Sequence, residues 1–137
     1  MSQTTINAPT PNVATDRRWL VLLVEDEIEL RTVMQATLGR FFEIETVASA
    51  EEAELLLGLR SFDVIVSDHI MSGESGLDFF VRHYGRWPST RRILLTGYMN
   101  PELISRSVAV AGLSACLLKP LTTNELKTAI EAAMVTK

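Results

Sequence analysis

The stretch Trp19-Leu20-Val21-Leu22-Leu23-Val24-Glu25-Asp26-Glu27 is an unbroken apolar run that stops on acids. A run without alternation reads as a β-strand covered on both faces, the pattern of a parallel sheet. The same reading fits Asp63-Val64-Ile65-Val66-Ser67, Arg92-Ile93-Leu94-Leu95-Thr96 and Ala115-Cys116-Leu117-Leu118-Lys119. Phe42-Glu43-Ile44-Glu45-Thr46-Val47 alternates apolar and polar residues instead, which suits an edge strand with one wet face.

Helical patterns with identifiable ends fill the intervals. Asp26 with Glu29 reads as a capped start closed by Gly39, and Ser49 with Glu52 as a capping box closed near Gly58. A third helix is expected from Gly76 to about His83, with Leu77 and Phe80 facing inward and Trp87 as a packing anchor near its end. Asn100-Pro101 sets a cap before a proline at the first helical position, and Gly112 ends that helix. Thr122 with Glu125 opens the last one, where Leu126, Ile130 and Ala133 form an apolar stripe. Strands and helices that alternate through short connections give a parallel sheet with helices on both faces. The expectation is an α/β, flavodoxin-like doubly wound (βα)5 fold with strand order 2-1-3-4-5, which puts the alternating second strand at an edge.

Composition narrows the function. The chain has 137 residues, 47% hydrophobic and 22% charged, enough for one domain with its own core. A net charge of −4 with basic residues scattered among acids argues against non-specific binding to nucleic acid or acidic lipid. Arg17-Arg18 and Arg91-Arg92 are pairs, not patches. Cys116 is the single cysteine, so no intramolecular disulfide forms and a reduced compartment fits. No apolar run approaches the ~20 residues that cross a bilayer. The N-terminus lacks the charged-then-apolar order of a secretory signal, so a cytoplasmic location is expected. Residues 1–17, with Pro9 and Pro11, bury too little apolar surface to repay ordering and read as a flexible tail before a domain at 18–137.

The chemistry gathers where the apolar runs end, since ligands of an open parallel sheet bind at the carboxyl ends of its strands. Glu25 and Asp26 follow the first run, Asp68 the third, Thr96 ends the fourth and Lys119 the fifth. With strands one and three adjacent, three carboxylates meet in one crevice, faced by a hydroxyl and an ammonium. Crowded carboxylates need a neutralising partner. Mg²⁺, which takes oxygen ligands and keeps several waters, suits them better than Ca²⁺, for which no loop supplies enough oxygens. A cation beside an ammonium makes a pocket for phosphate, and a carboxylate there can attack phosphorus to give an acyl phosphate. Thr96 can donate to a phosphoryl oxygen, and Gly97 leaves room for the group to enter.

These residues in this order resemble the receiver domain of two-component response regulators, over roughly Arg18 to Met134. The matching stretches are Leu23-Val24-Glu25-Asp26-Glu27, Val66-Ser67-Asp68 with Met71 and Gly76 behind it, Leu95-Thr96-Gly97 and Leu118-Lys119-Pro120. The resemblance implies that Asp68 is the phosphoacceptor. It implies that Glu25, Asp26 and Asp68, with the backbone carbonyl of Ile70, bind Mg²⁺, and that Thr96 and Lys119 sense the phosphoryl group. It also implies a cis bond before Pro120, a residue at which cis costs little. The partners implied are a histidine kinase or phosphotransfer protein upstream and a docked protein or a missing output domain downstream. No direct binding to nucleic acid and no membrane contact are expected of this chain.

The sequence departs from the family in places. Cys116 stands where the family carries an aromatic or His that reports phosphorylation, and a cysteine cannot repeat the inward swing of a ring. Leu121 replaces the frequent Phe after the proline, and Ser72 stands where Pro often follows Met71. Ile70 and Tyr98 occupy positions that in the family govern access of water to the acyl phosphate, so this apolar pair is expected to lengthen its life. Cys116 is expected to act as a small buried hydrophobe, and His69 and His83 are not spaced to share a metal.

The same residues bear on two rival readings. A pseudo-receiver would keep the fold as a phosphorylation-independent protein-binding module, and the intact acids, Thr96 and Lys119 argue against it. A phosphohydrolase of the haloacid dehalogenase type wants a second Asp two residues after the nucleophile, where Ile70 stands. The last helix ends close to Lys137, which leaves output to a docked partner or to a longer parent chain. Residues 92–98 resemble receivers that precede cyclic-di-GMP phosphodiesterase modules. A homodimer stays open, although Ser114-Ala115 lacks the acids that support the symmetric dimer of winged-helix regulators.

Overall fold

The computed structural model describes residues 18–97 and 100–135, with the side chains of Pro101, Leu103 and Ile104 left aside. The expected tail at 1–17 and Tyr98 lie outside the described residues. The elements run β1 (Leu20–Val24), α1 (Ile28–Leu38), β2 (Glu43–Val47), α2 (Ala50–Leu59), β3 (Val64–Asp68), α3 (Gly76–Arg82), β4 (Arg91–Thr96), α4 (Pro101–Ala111), β5 (Ala115–Leu118) and α5 (Thr123–Val135). All pairings are parallel and the strand order is β2-β1-β3-β4-β5, which is the expected 2-1-3-4-5 arrangement.

The pleat explains the continuous apolar runs. Val21 and Leu23, with Val64, Val66, Ile93 and Leu95, pack under Leu38 of α1 and Leu126 and Ile130 of α5. Leu22 and Val24, with Ile65 and Leu94, point to the other face, against Ala53, Leu57, Phe79, Phe80 and Ala111. Each central strand therefore buries both sets of its side chains. Each large aliphatic side chain so buried contributes roughly 1.5–3 kcal/mol of transfer free energy. Strand β2 lies at the edge with its side chains mostly part-exposed, as its alternation predicted.

Several helix ends follow the sequence. Glu52 N–H donates to Ser49 Oγ (3.1 Å), and Glu125 N–H donates to Thr122 Oγ1 (3.0 Å) while Thr122 N–H returns to Glu125 Oε1 (2.7 Å). Glu102 N–H donates to Asn100 Oδ1 (3.0 Å) ahead of α4, and Gly112 leaves it with a positive φ of 66°. One expectation is corrected. Glu27 rather than Asp26 precedes α1, with no side-chain cap, because the Asp26 carboxylate is committed to Ser72 across the crevice. The second helix closes near Gly58 as expected, running to Leu59 and stopping at an extended Arg60. Leu77 is half-buried, and Phe79 joins Phe80 as the inward pair of α3.

The end of α3 is closed from below by a cation. Arg92 on β4 is 5% exposed, and its guanidinium donates to the carbonyls of Phe80 (3.2 Å), His83 (3.0 Å) and Arg86. These are carbonyls at and just beyond the C-terminal turn of α3, which lack intrahelical partners. Trp87 packs there as expected, stacked on Phe79 with ring centroids 6.1 Å apart and held at a positive φ of 49°.

Candidate functional site

The crossover order makes β1 and β3 neighbours, with Val24 paired to Ser67, so the chain segments leaving both strands share one crevice. Glu25 is buried to 3% exposure, held by a bond from its own N–H to Val47 O (3.1 Å) on the edge strand. Glu27 N–H donates to Glu25 Oε2 (3.1 Å), and Arg31 donates to the Glu25 carbonyl (2.9 Å). Asp26 is half-buried, and its Oδ2 accepts from both Ser72 N–H (2.9 Å) and Ser72 Oγ (3.2 Å). Asp68 is the last residue of β3 and is 6% exposed. One carboxylate oxygen from each of Glu25, Asp26 and Asp68 lies within 4.8 Å of the others.

The fourth and fifth strands supply the other side. Lys119 Nζ donates to Asp68 Oδ1 at 2.7 Å. The Lys119 N–H bonds Thr96 O (2.8 Å), which locks the turn after β5 to the buried Thr96 at the end of β4. The Lys119–Pro120 bond is cis, as the resemblance implied. A Cβ added at Gly97 would meet no atom within 4 Å, so this turn is open as expected. Gly76 is required in a stricter sense, because a Cβ there would lie 2.3 Å from Asp68 O and 2.8 Å from Ser67 Oγ. Behind the acid, Gly76 N–H donates to His69 O (2.9 Å) and Ser67 Oγ to Asp68 O (2.9 Å), so the loop leaving β3 is fixed close under the carboxylate.

Charge sets the character of this crevice. Burial raises the pKa of Glu25, the Glu27 N–H works against it, and the nearby Asp68 carboxylate adds to the rise. Burial disfavours the Lys119 ammonium, but its bond to Asp68 and the charges of Asp68 and Glu25 outweigh that and hold its pKa above the usual value. The donor set is all oxygen and the carboxylates repel one another, which fits a hard divalent cation.

The predicted residues Glu25, Asp26, Asp68, Thr96 and Lys119 thus come together at one end of the sheet. Ile70, two residues after Asp68, has its side chain 72% exposed. Cys116 is half-buried in the apolar cluster with Leu94 and Trp87, and burial pushes its thiol pKa up, as a small hydrophobe requires. His83 sits apart, at the end of α3. Sequence reasoning missed Ser72 as a partner of Asp26, and the only signal was its replacement of a proline, which has no N–H to give.

An open parallel sheet whose strand ends gather three acids and an ion-paired lysine defines a receiver-type signalling module. The response regulator receiver domain model matches residues 21–131, and the chain belongs to that family. It is 34% identical over 119 residues to the hydrogenase transcriptional regulatory protein HoxA of Cupriavidus necator, covering 87% of this chain and 25% of that protein. It is 28% identical to the response regulator protein PilR of Pseudomonas aeruginosa, covering 85% of this chain and 26% of PilR. The signal receiver domain of an HD domain-containing protein from Pseudomonas fluorescens Pf-5 superposes with a TM-score of 0.78 at 28% identity, over 86% of this chain and 95% of that one. The chain therefore spans only about a quarter of the length of the first two relatives. No described helix is long and apolar enough to cross a membrane.

Proposed function

We propose that the chain accepts a phosphoryl group on Asp68 in a Mg²⁺-dependent reaction and that the resulting acyl phosphate switches its binding to a partner. The observation that carries this reading is the meeting of three carboxylates with the Lys119 ammonium, 2.7 Å from Asp68 Oδ1, at the carboxyl ends of β1, β3 and β5. An Asp68 carboxylate oxygen attacks phosphorus, and the P–N bond of a phosphohistidine, or the P–O bond of a small phosphodonor, breaks. The imidazole or acid leaves with the bonding pair. Mg²⁺, when bound by Glu25, Asp26, Asp68 and the Ile70 carbonyl, supplies positive charge to the transferring oxygens. Lys119 offsets charge on the same oxygens from the β5 side, and Thr96 donates to one of them.

The upstream partner in this reading is a histidine kinase or phosphotransfer protein in the cytoplasm. Output runs through a docked protein or a further domain, as the regulator names of HoxA and PilR suggest for those longer proteins. The test is beryllofluoride, which imitates a phosphoryl group on a carboxylate. A ¹⁹F signal from bound beryllofluoride that needs both Mg²⁺ and Asp68 supports the reading, and its absence from the unsubstituted chain with Mg²⁺ contradicts it.

A further inference from the structure

Ser72 has no part in the proposed phosphoryl transfer, yet it makes two bonds that tie Asp26 to the opposite side of the crevice. Its N–H lies 2.9 Å and its hydroxyl 3.2 Å from the same oxygen, Asp26 Oδ2. These are charge-assisted bonds, stronger than neutral ones. Both fall on one oxygen, so a cation can take Oδ1 of Asp26 without breaking either.

Ser72 is itself held in place. It belongs to the loop between β3 and α3, and Gly73 beside it turns the chain with φ of 81°. Glu74 is clamped by Arg82 through two bonds of 2.8 and 2.7 Å, and Arg82 also reaches Glu54 on α2 (3.1 Å). At the far end Gly76 N–H returns to His69 O (2.9 Å). The loop is thus anchored on both sides of Ser72, and the serine meets Asp26 from a fixed position. Asp26 needs such an anchor because it is the most exposed of the three acids and no cap bond of α1 restrains it.

We propose that Ser72 is a positioning residue of the cation site, orienting the Asp26 carboxylate through its N–H and its hydroxyl together. This rests on the Mg²⁺ reading above. A proline at this position supplies neither donor. An outer partner of a metal-binding carboxylate typically carries ~10–100-fold in metal affinity.

The test is Mg²⁺ binding to the full chain by calorimetry, with no phosphodonor present. Ser72→Ala keeps the N–H and is expected to weaken binding a few-fold. Ser72→Pro removes both donors and is expected to weaken it by ~10-fold or more. Ser72→Thr keeps both and is expected to bind as the unsubstituted chain does. Unfolding in chelator is expected to differ little between Ser72→Ala and Ser72→Thr, which separates positioning from a structural role. Equal Mg²⁺ affinity in the alanine and proline variants would overturn the inference while leaving the cation reading intact, as would a loss that threonine fails to restore. No Mg²⁺ binding by the unsubstituted chain would overturn the cation reading and this inference with it.

Discussion

Lys119 Nζ lies 2.7 Å from Asp68 Oδ1, so the ammonium from the end of β5 meets the carboxylate at the end of β3 across the intervening strand β4. The lysine is the cation the described site brings to its three acids. Its side chain is one-third exposed, which moderates the strength of the pair through solvent screening.

Removal of that ammonium leaves the carboxylates uncompensated. Lys119→Met is expected to destabilise the chain in chelator by about 1–3 kcal/mol, and saturating Mg²⁺ is expected to restore much of the loss by binding the folded state. Urea unfolding with and without Mg²⁺ measures both. A variant as stable as the unsubstituted chain in chelator would show that the pair contributes nothing.

Ile70 follows Asp68 by two residues with its side chain exposed, and in the proposed reading this apolar side chain shields an acyl phosphate from water. Ile70→Asn is expected to shorten the half-life of the phosphorylated form about tenfold, equivalent to ~1.4 kcal/mol in the barrier. Decay followed by intact mass after removal of the phosphodonor checks this. Equal decay rates would remove shielding as the role of Ile70.

Arg92 is a structural cation inside the domain. Its guanidinium serves three carbonyls at the end of α3, a planar fork that an ammonium cannot reproduce. Arg92→Met is expected to cost about 2–4 kcal/mol in unfolding free energy, and Arg92→Lys to recover only part of it. Chemical denaturation of the two variants tests the order.

Below pH 7 the buried His83 should make stability fall. Burial lowers its pKa from 6.5, the Arg82 charge lowers it further, Glu54 pulls it up and Arg86 pushes it down. Because the folded pKa is the lower one, the unfolded chain binds the proton more readily between the two values, and stability rises with pH there. The contribution is full above about 6.5 and is lost as pH falls through the folded pKa. His83→Phe should flatten the unfolding free energy between pH 7 and ~5 relative to the unsubstituted chain. Trp87, whose ring centroid is 4.8 Å from that of His83, offers a local fluorescence probe.

The residues that were legible in sequence are those whose role is set by their position in a run. Val21–Val24 and Val64–Val66 are apolar at every place because both faces are covered, and the acids stand where those runs stop. Ser49 and Thr122 announced helix starts because a cap bond spans three residues. Asp26 carried the same local signature and does something else, since a carboxylate can serve either its own helix or a serine 46 residues away. Gly58 signalled the end of α2, which runs only to Leu59. Arg92 under α3 and Ser72 on Asp26 arise from contacts between elements, and no periodicity within one element encodes them.

Phosphorylation of Asp68 is read out by intact mass after incubation with acetyl phosphate and Mg²⁺, with Asp68→Asn and a chelator control alongside. One phosphoryl group is expected on the unsubstituted chain and none in either control. A phosphoryl group that persists in Asp68→Asn, or a chain that neither takes one up nor binds beryllofluoride with Mg²⁺, would contradict phosphorylation of Asp68 and leave a phosphorylation-independent binding module as the function of this fold.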